Sequence, residues 1–325
     1  EASIKKTLNS RGFEPDKSQI LITAGANVQI YYALACITNP GDEVITVDPC
    51  FVSYRSIIKF LGLKPKFIPL HEKNEFRINP NDLEKLISRK TRAVLINSPH
   101  NPTGAVLSED NIRKIYEICK KEDVFLISDE VYGRMVYEDD ENQEKFFSPS
   151  SIDFCKERSI IIHSLSKSYA MTGWRIGYAA GPKEIITAIR KIQSQSTSNP
   201  SSISQAAAVE ALNGEQNFIQ ERAKAFSERR DFVVNSLNEI KGINCITPNG
   251  AFYVFPSCKG LLNKKTKLKT DTEFVQKLLE KSLVAVVQGS AFGLEGYFRI
   301  SYATSMENLK KALSRIKEFC ESINS

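Results

Sequence analysis

The chain has 325 residues, 42% hydrophobic and 25% charged, which excludes a disordered polymer and leaves room for a large core in two lobes. Its 44 basic and 38 acidic residues are spread along the sequence, and the resulting net charge of +6 suits small acidic substrates. The most basic cluster, NKKTKLK at 263–269, reads as a solvated loop. No apolar run approaches membrane-spanning length and no signal peptide is visible. Seven cysteines, odd in number and without C-x-x-C, argue against a disulfide framework or a zinc site and for a reducing cytosol.

In chain order, QILITAG reads as a strand entering a Gly turn. VQIYYALACI has helical spacing. EVITVD is a strand, SYRSIIKFLG a helix ending at Gly62, and KPKFIPL a strand. NPNDLEKLI is a helix opened by Asn79 and Pro80. RAVLINS is a strand, SEDNIRKIYEICKK a helix with Ser108 as N-cap, and VFLISDE and SIIIHS are further strands. This rhythm predicts an α/β fold, a mostly parallel sheet with helices on both faces. After about residue 215 the pattern changes. FIQERAKAFSERRDFVVNSLNEI is one long amphipathic helix, GAFYVFPS and GYFRISYA are strands flanking the helical TEFVQKLLEKS, and NLKKALSRIKEFCES is a final helix. The expected division is a large lobe over 1–214 and a smaller α+β lobe over 215–325.

Ligands on parallel sheets sit at the carboxyl ends of strands, and here those ends carry unusual residues. Gly25, Ala26 and Asn27 follow the first strand and open a helix, where backbone N–H groups can hold an anion; an ordinary turn is the plainer alternative. Neither G-x-G-x-x-G nor a P-loop is present. Asn101, in the turn NPTG, follows VLINS. Asp129 and Tyr132 close VFLIS, where a helix cap is the plainer reading of the acid. Lys167 sits just beyond SIIIHS, and Arg175 lies eight residues later in a segment that reads as half-buried. Two cations in such a setting require an anion. Cation, carboxylate, Asn, Tyr and an anion-binding turn on one side of a sheet suit a charged aromatic cofactor with a phosphate, and pyridoxal phosphate needs each part.

SLSKSYAMTGWRIGY, with NPTG, SDEVY and FRISYATS in this order, resembles the class I and II aminotransferases of the fold-type I pyridoxal-phosphate superfamily, over essentially the whole chain. The finer likeness, carried by QSQSTSNPSSISQ and AFGLEGYFRISYATS, is to bacterial aspartate aminotransferases of the branch that includes prephenate-active enzymes. The resemblance implies that Lys167 forms the Schiff base with the cofactor and then moves the substrate Cα proton, with nearby cations lowering its pKa. It implies that Asp129 pairs with the pyridinium nitrogen and that Tyr132 and Asn101 address the phenolic oxygen. Phe51 would stack on the ring, a core aromatic being the plainer alternative. Ser164, Ser166 and Arg175, with the amides after Gly25 at Ala26 and Asn27, would hold the phosphate. Arg299 would clamp the substrate α-carboxylate, with Asn101 beside it, a surface ion pair being the alternative. The bonds before Pro49 and Pro102 are expected to be cis. A cytoplasmic homodimer acting on an amino acid and a 2-oxo acid, without nucleic acid or membrane partners, is expected, with residues around Ser196 to Ser202 as one contributor across the dimer.

Two departures from the family pattern stand out. EASIKKTLNSRGF resembles the first helix of the family's large lobe, and the several dozen residues that precede it in relatives, an arm included, are not in this sequence. Asn27 stands where the aspartate branch often carries a lysine that binds the distal carboxylate. Aspartate with 2-oxoglutarate is the favoured pair, and aromatic, alanine-like or prephenate substrates are the alternatives. A β-lyase or decarboxylase using the same cofactor, a cofactor sensor and an inactive cofactor-binding fragment also remain open.

Overall fold

In the computed structural model, which describes residues 1–9, 12–137 and 145–324, the apolar runs form one central sheet. Its strands are β1 (Ile20–Thr23), β2 (Glu43–Asp48), β3 (Lys64–Pro69), β4 (Thr91–Asn97), β5 (Phe125–Asp129), β6 (Ser159–Ser164) and β7 (Gly177–Ala180). Their spatial order is β1-β7-β6-β5-β4-β2-β3. All pairings are parallel except those of β7, which runs antiparallel between β1 and β6.

The surrounding helices are α1 (Ala2–Asn9), α2 (Ala26–Ile37), α3 (Val52–Phe60), α4 (Pro80–Leu86), α5 (Glu109–Lys121), α6 (Ser150–Asp153), α7 (Lys183–Ser196) and α8 (Ser202–Asn213). Local chemistry fixes several of their starts. Ser108 caps α5 by accepting from the Asn111 N–H at 3.1 Å, and Asn79 caps α4 with Pro80 at its first position. Along α5 the buried Ile112, Ile115, Tyr116 and Cys119 recur at helical spacing and face the sheet. In the fully covered β4 and β6 nearly every side chain is buried, and each large aliphatic contributes about 1.5–3 kcal/mol relative to exposure.

The rest of the chain carries α9 (Asn217–Asn238), α10 (Asp271–Ser282) and α11 (Met306–Asn324) around a three-stranded sheet. That sheet comprises β8 (Tyr253–Val254), β9 (Val287–Gln288) and β10 (Phe298–Ser301), in the order β8-β10-β9. Its core, from Val233 through Phe274 and Phe298 to Phe319, is a hydrophobic cluster separate from that of the large sheet. The helix α9 starts on the first lobe through Phe218 and Ile219 and ends in the second through Val233, Val234 and Leu237.

Some elements depart from the sequence reading. The strand β7 lies in GYAA, whose small residues carry little strand signal, and pairing on both sides makes it. Helices α6, α7 and α8 also arise where the sequence shows no element. GAFYVFPS shrinks to Tyr253–Val254, because Pro256 cannot donate to a ladder. Of the first-helix segment, Ser10 and Arg11 lie outside the described residues. The bonds before Pro49 and Pro102 are cis as expected, and so is the bond before Pro99. NKKTKLK is a loop whose lysines are exposed while Thr266 and Leu268 anchor it inward.

Candidate active site

The residues that follow β1, β2, β4, β5 and β6 meet in one cavity of about 350 Å³. It is lined by Ala26, Asn27, Phe51, Asn101, Asp129, Tyr132, Ser164, Ser166, Lys167, Arg175 and Arg299. Of the catalytic, cofactor-binding and substrate-binding candidates named from the sequence, Gly25 alone is not part of the lining. Parallel pairing makes this convergence: Asn97 sits opposite Asp129 in register, and Asp129 opposite Ile162.

Asp129 is buried, and burial pushes its carboxyl up to about 6, against the lowering effects of Tyr54, the Val131 N–H and Lys167. Its Oδ2 accepts from the Tyr54 hydroxyl at 2.6 Å, and its Oδ1 from the Val131 N–H at 3.3 Å. Lys167 is half-buried, with Nζ 5.9 Å from the Tyr132 ring centre and 5.8 Å from that of Phe252. Burial, more than the neighbouring Arg299 and Arg175, drives its amine below the ordinary lysine range. The sequence reading credited the cations; desolvation is the larger cause.

Arg299 enters from β10 of the second sheet. Its Nη1 donates to Asn101 Oδ1 at 2.8 Å, and its guanidinium lies 4.4 Å from the Tyr253 ring centre and 4.9 Å from that of Phe292. Its Nε is buried without a hydrogen-bond partner among the described residues, so the fork is held but not saturated. The surface ion-pair alternative does not describe it. Tyr132 is buried, and its hydroxyl lies 2.9 Å from that of Tyr253.

Gly25, at φ 92°, is the N-cap of α2. A Cβ there would meet Arg175 Nη2 at 2.4 Å, so glycine is what lets the guanidinium lie against the turn. Ser164 donates to Ser166 at 2.8 Å, and Arg175 donates from Nη1 to the Thr172 carbonyl at 2.9 Å. Gly177, between Thr23 and Ser164 in the sheet, keeps these strand ends close: a Cβ there would meet the His163 carbonyl at 2.6 Å. One expectation is corrected here. Arg175 is exposed rather than half-buried, because Thr172 to Arg175 form the rim of the cavity and not its floor. Of residues 196–202, expected to contribute across a dimer, all but the buried Pro200 are exposed, and none lines the cavity of its own chain.

Tyr54, Asn97, Thr172 and Tyr253 belong to this site and were not singled out from the sequence. Tyr54 had a signal, since it lies one helical turn after Phe51 on α3 and so shares its face. Phe51 packs edge-on against Tyr54 at 5.6 Å while also lining the cavity. A buried carboxylate, a depressed lysine amine and a glycine-backed arginine beside a helix start are the donor set that pyridoxal phosphate requires, so the residues present fit that group.

The family model for class I and II aminotransferases matches residues 1–316. An aspartate aminotransferase of Rhizobium meliloti strain 1021 is 44% identical over 326 residues, covering 98% of this chain and 78% of that protein. An aspartate/prephenate aminotransferase of Cereibacter sphaeroides is 41% identical, covering 99% of this chain and 81% of its own length. The crystal structure of the Rhizobium meliloti aspartate aminotransferase superposes with a TM-score of 0.93, covering 98% of this chain and 81% of that one. That of an aromatic aminotransferase from Pyrococcus horikoshii superposes with a TM-score of 0.91 at 38% identity, covering 99% and 85%.

Proposed function

This chain belongs to the class I and II aminotransferases, and on that premise we propose that it moves an amino group from aspartate to 2-oxoglutarate. It is a pyridoxal-phosphate-dependent transaminase of fold type I. When bound, the cofactor supplies an electron sink for the pair released at the substrate Cα. In the proposed assignment the chain's own residues do the rest. Lys167 holds the cofactor and, as a neutral amine, moves the proton at the substrate Cα. Asp129 keeps the ring nitrogen protonated, and Tyr132 and Asn101 donate to the ring oxygen. The amides at Ala26 and Asn27, with Ser164, Ser166 and Arg175, hold the phosphate, and Phe51 covers the ring. Arg299, aligned by Asn101, takes the α-carboxylate.

The observation that carries this reading is the half-buried Lys167, its amine depressed, in one cavity with the buried Asp129 and the unsaturated Arg299 fork. Among the described residues lining the cavity the cations are Lys167, Arg175 and Arg299, so an aspartate side-chain carboxylate meets Asn27 as a hydrogen-bond donor and not as a charge. That favours a second reading, an aromatic donor, for which Phe51 and Tyr253 offer apolar faces.

The larger lobe over 1–214 and the smaller over 215–325 are proposed as the functional units, supported by a core cluster in each, with Phe255, Phe292 and Tyr297 of the second packing into the core of the first. A homodimer is proposed from the family resemblance, and the exposed apolar Val52 and Phe60, at the two ends of α3, are available to a partner. A cytoplasmic setting is proposed from seven free cysteines, six of them buried. Among the described residues no helix is long and apolar enough to cross a membrane.

The test is a half-reaction. Cofactor-loaded protein, freed of excess cofactor, is mixed with aspartate alone, and then separately with phenylalanine. Stoichiometric oxaloacetate, with loss of the yellow absorbance and its return on adding 2-oxoglutarate, is expected. Oxo-acid release from phenylalanine only would select the aromatic reading. Cofactor bound without oxo-acid release from any amino acid would overturn both.

A further inference from the structure

We propose that Tyr54 is a positioning residue that holds Asp129 as an oriented carboxylate for the cofactor ring, acting through the single hydrogen bond from its hydroxyl. The inference rests on the assignment of Asp129 to the ring nitrogen, and it concerns how a buried acid is kept charged.

Asp129 is 5% exposed, reached by solvent only through the cavity it lines, and Tyr54 is 1% exposed, so water solvates this pair poorly. A carboxylate in such a place needs donors on both oxygens. One oxygen has only the long contact to the Val131 N–H at 3.3 Å, whereas the other has the short bond from Tyr54 at 2.6 Å. The side chain of Asn97 does not help the carboxylate, because it donates to the Asp129 backbone carbonyl at 2.9 Å. The titratable groups that face Asp129 are Tyr54 from α3, Lys167 beyond β6 and Tyr132 beyond β5, with Cys50 lying against Tyr54. Of these, Tyr54 does most to hold the carboxyl down, ahead of Lys167. The Tyr54 hydroxyl itself is pushed well above its ordinary range, first by burial and then by Asp129, so it remains a donor at every working pH.

The geometry also fixes direction. Tyr54 lies on the first turn of α3, and its ring is packed edge-on by Phe51. The hydroxyl therefore reaches Asp129 from a rigid element and orients the carboxylate as well as charging it.

The experiment compares the wild-type chain with Tyr54→Phe, Asp129→Asn and the double variant. In the cofactor-free protein, melting temperature is followed from about pH 5 to about pH 8. The difference between wild type and Tyr54→Phe is expected to widen as pH rises and Asp129 ionises, and to be flat with pH in the Asp129→Asn background. In a second arm, pyridoxal phosphate is titrated and binding is read from the fluorescence of Trp174, the chain's one tryptophan, beside Arg175. Tyr54→Phe should weaken binding by about tenfold near pH 6, as loss of a hydrogen bond to a charged group implies, and less at higher pH. The double variant should match Asp129→Asn.

A melting difference that is constant with pH, or equal in both backgrounds, means that Tyr54 only fills space and overturns the inference. The melting arm needs no cofactor, so it decides about Tyr54 even if the cofactor assignment fails. Failure of the wild type to bind pyridoxal phosphate overturns that assignment alone.

Discussion

Arg299 Nη1 and Asn101 Oδ1 stand 2.8 Å apart, and this bond joins the second sheet to the loop after β4. The two residues lie 198 positions apart in sequence, so the proposed carboxylate clamp needs the second sheet packed against the loop after β4. The bond uses one arm of the guanidinium and leaves a buried Nε for a ligand.

Replacing Arg299 by Lys should therefore raise KM for every amino acid while leaving the absorbance of the bound cofactor unchanged. A bidentate fork becomes a point charge, and a loss of about 2 kcal/mol corresponds to a roughly thirtyfold fall in kcat/KM. Steady-state kinetics with a panel of amino donors would reveal it. A fall confined to acidic donors would instead place Arg299 at the side-chain end of the substrate.

Lys167→Ala should remove the covalent absorbance of the cofactor and reduce turnover by at least about 10²–10⁴-fold, the range attributable to a positioned proton carrier. Added ethylamine should restore part of the rate. Unchanged turnover would mean that another amine does the work.

Asp129 predicts a pH dependence whose sign follows from burial. Its folded value of about 6 lies above the ordinary 3.8, so the folded protein binds this proton more tightly than the unfolded chain does. The associated stability is full below pH 3.8 and is lost as pH rises through about 6. Without cofactor, the wild type should therefore lose stability relative to Asp129→Asn between these values, by about 3 kcal/mol at most. Chemical denaturation of both proteins at pH 4 and pH 8 measures the difference, and parallel curves would contradict it.

Asn27→Lys should shift preference toward aspartate. A cation at the start of α2 gives the distal carboxylate a charged partner, and about tenfold in relative kcat/KM against phenylalanine is expected for an ion pair at a partly exposed position. No change in the ratio would remove Asn27 from the specificity argument.

Gly25→Ala should weaken cofactor affinity more than stability. The new Cβ occupies the place of Arg175 Nη2, 2.4 Å away, so the arginine must leave the turn. Isothermal titration with pyridoxal phosphate, beside a thermal melt, separates the two effects.

The sequence by itself determined the strands β1 to β6, the helices α2 to α5 and the residues that end each strand, because these depend on local periodicity, caps and turns. It singled out Lys167, Asp129, Asn101, Tyr132 and Arg299, which share one cavity, because motif order survives without coordinates. Only the tertiary structure decided the rest. The strand β7 exists because two neighbours pair with GYAA, a fact absent from its own four residues. Arg175 lies on the rim rather than in the floor because the turn after Thr172 opens toward solvent. Tyr54 and Tyr253 join the site because α3 and β8 bring their hydroxyls to Asp129 and Tyr132 across 75 and 121 residues. Long-range contacts of that kind select a side chain by its place in a packed interior, and no local pattern in the chain encodes that place.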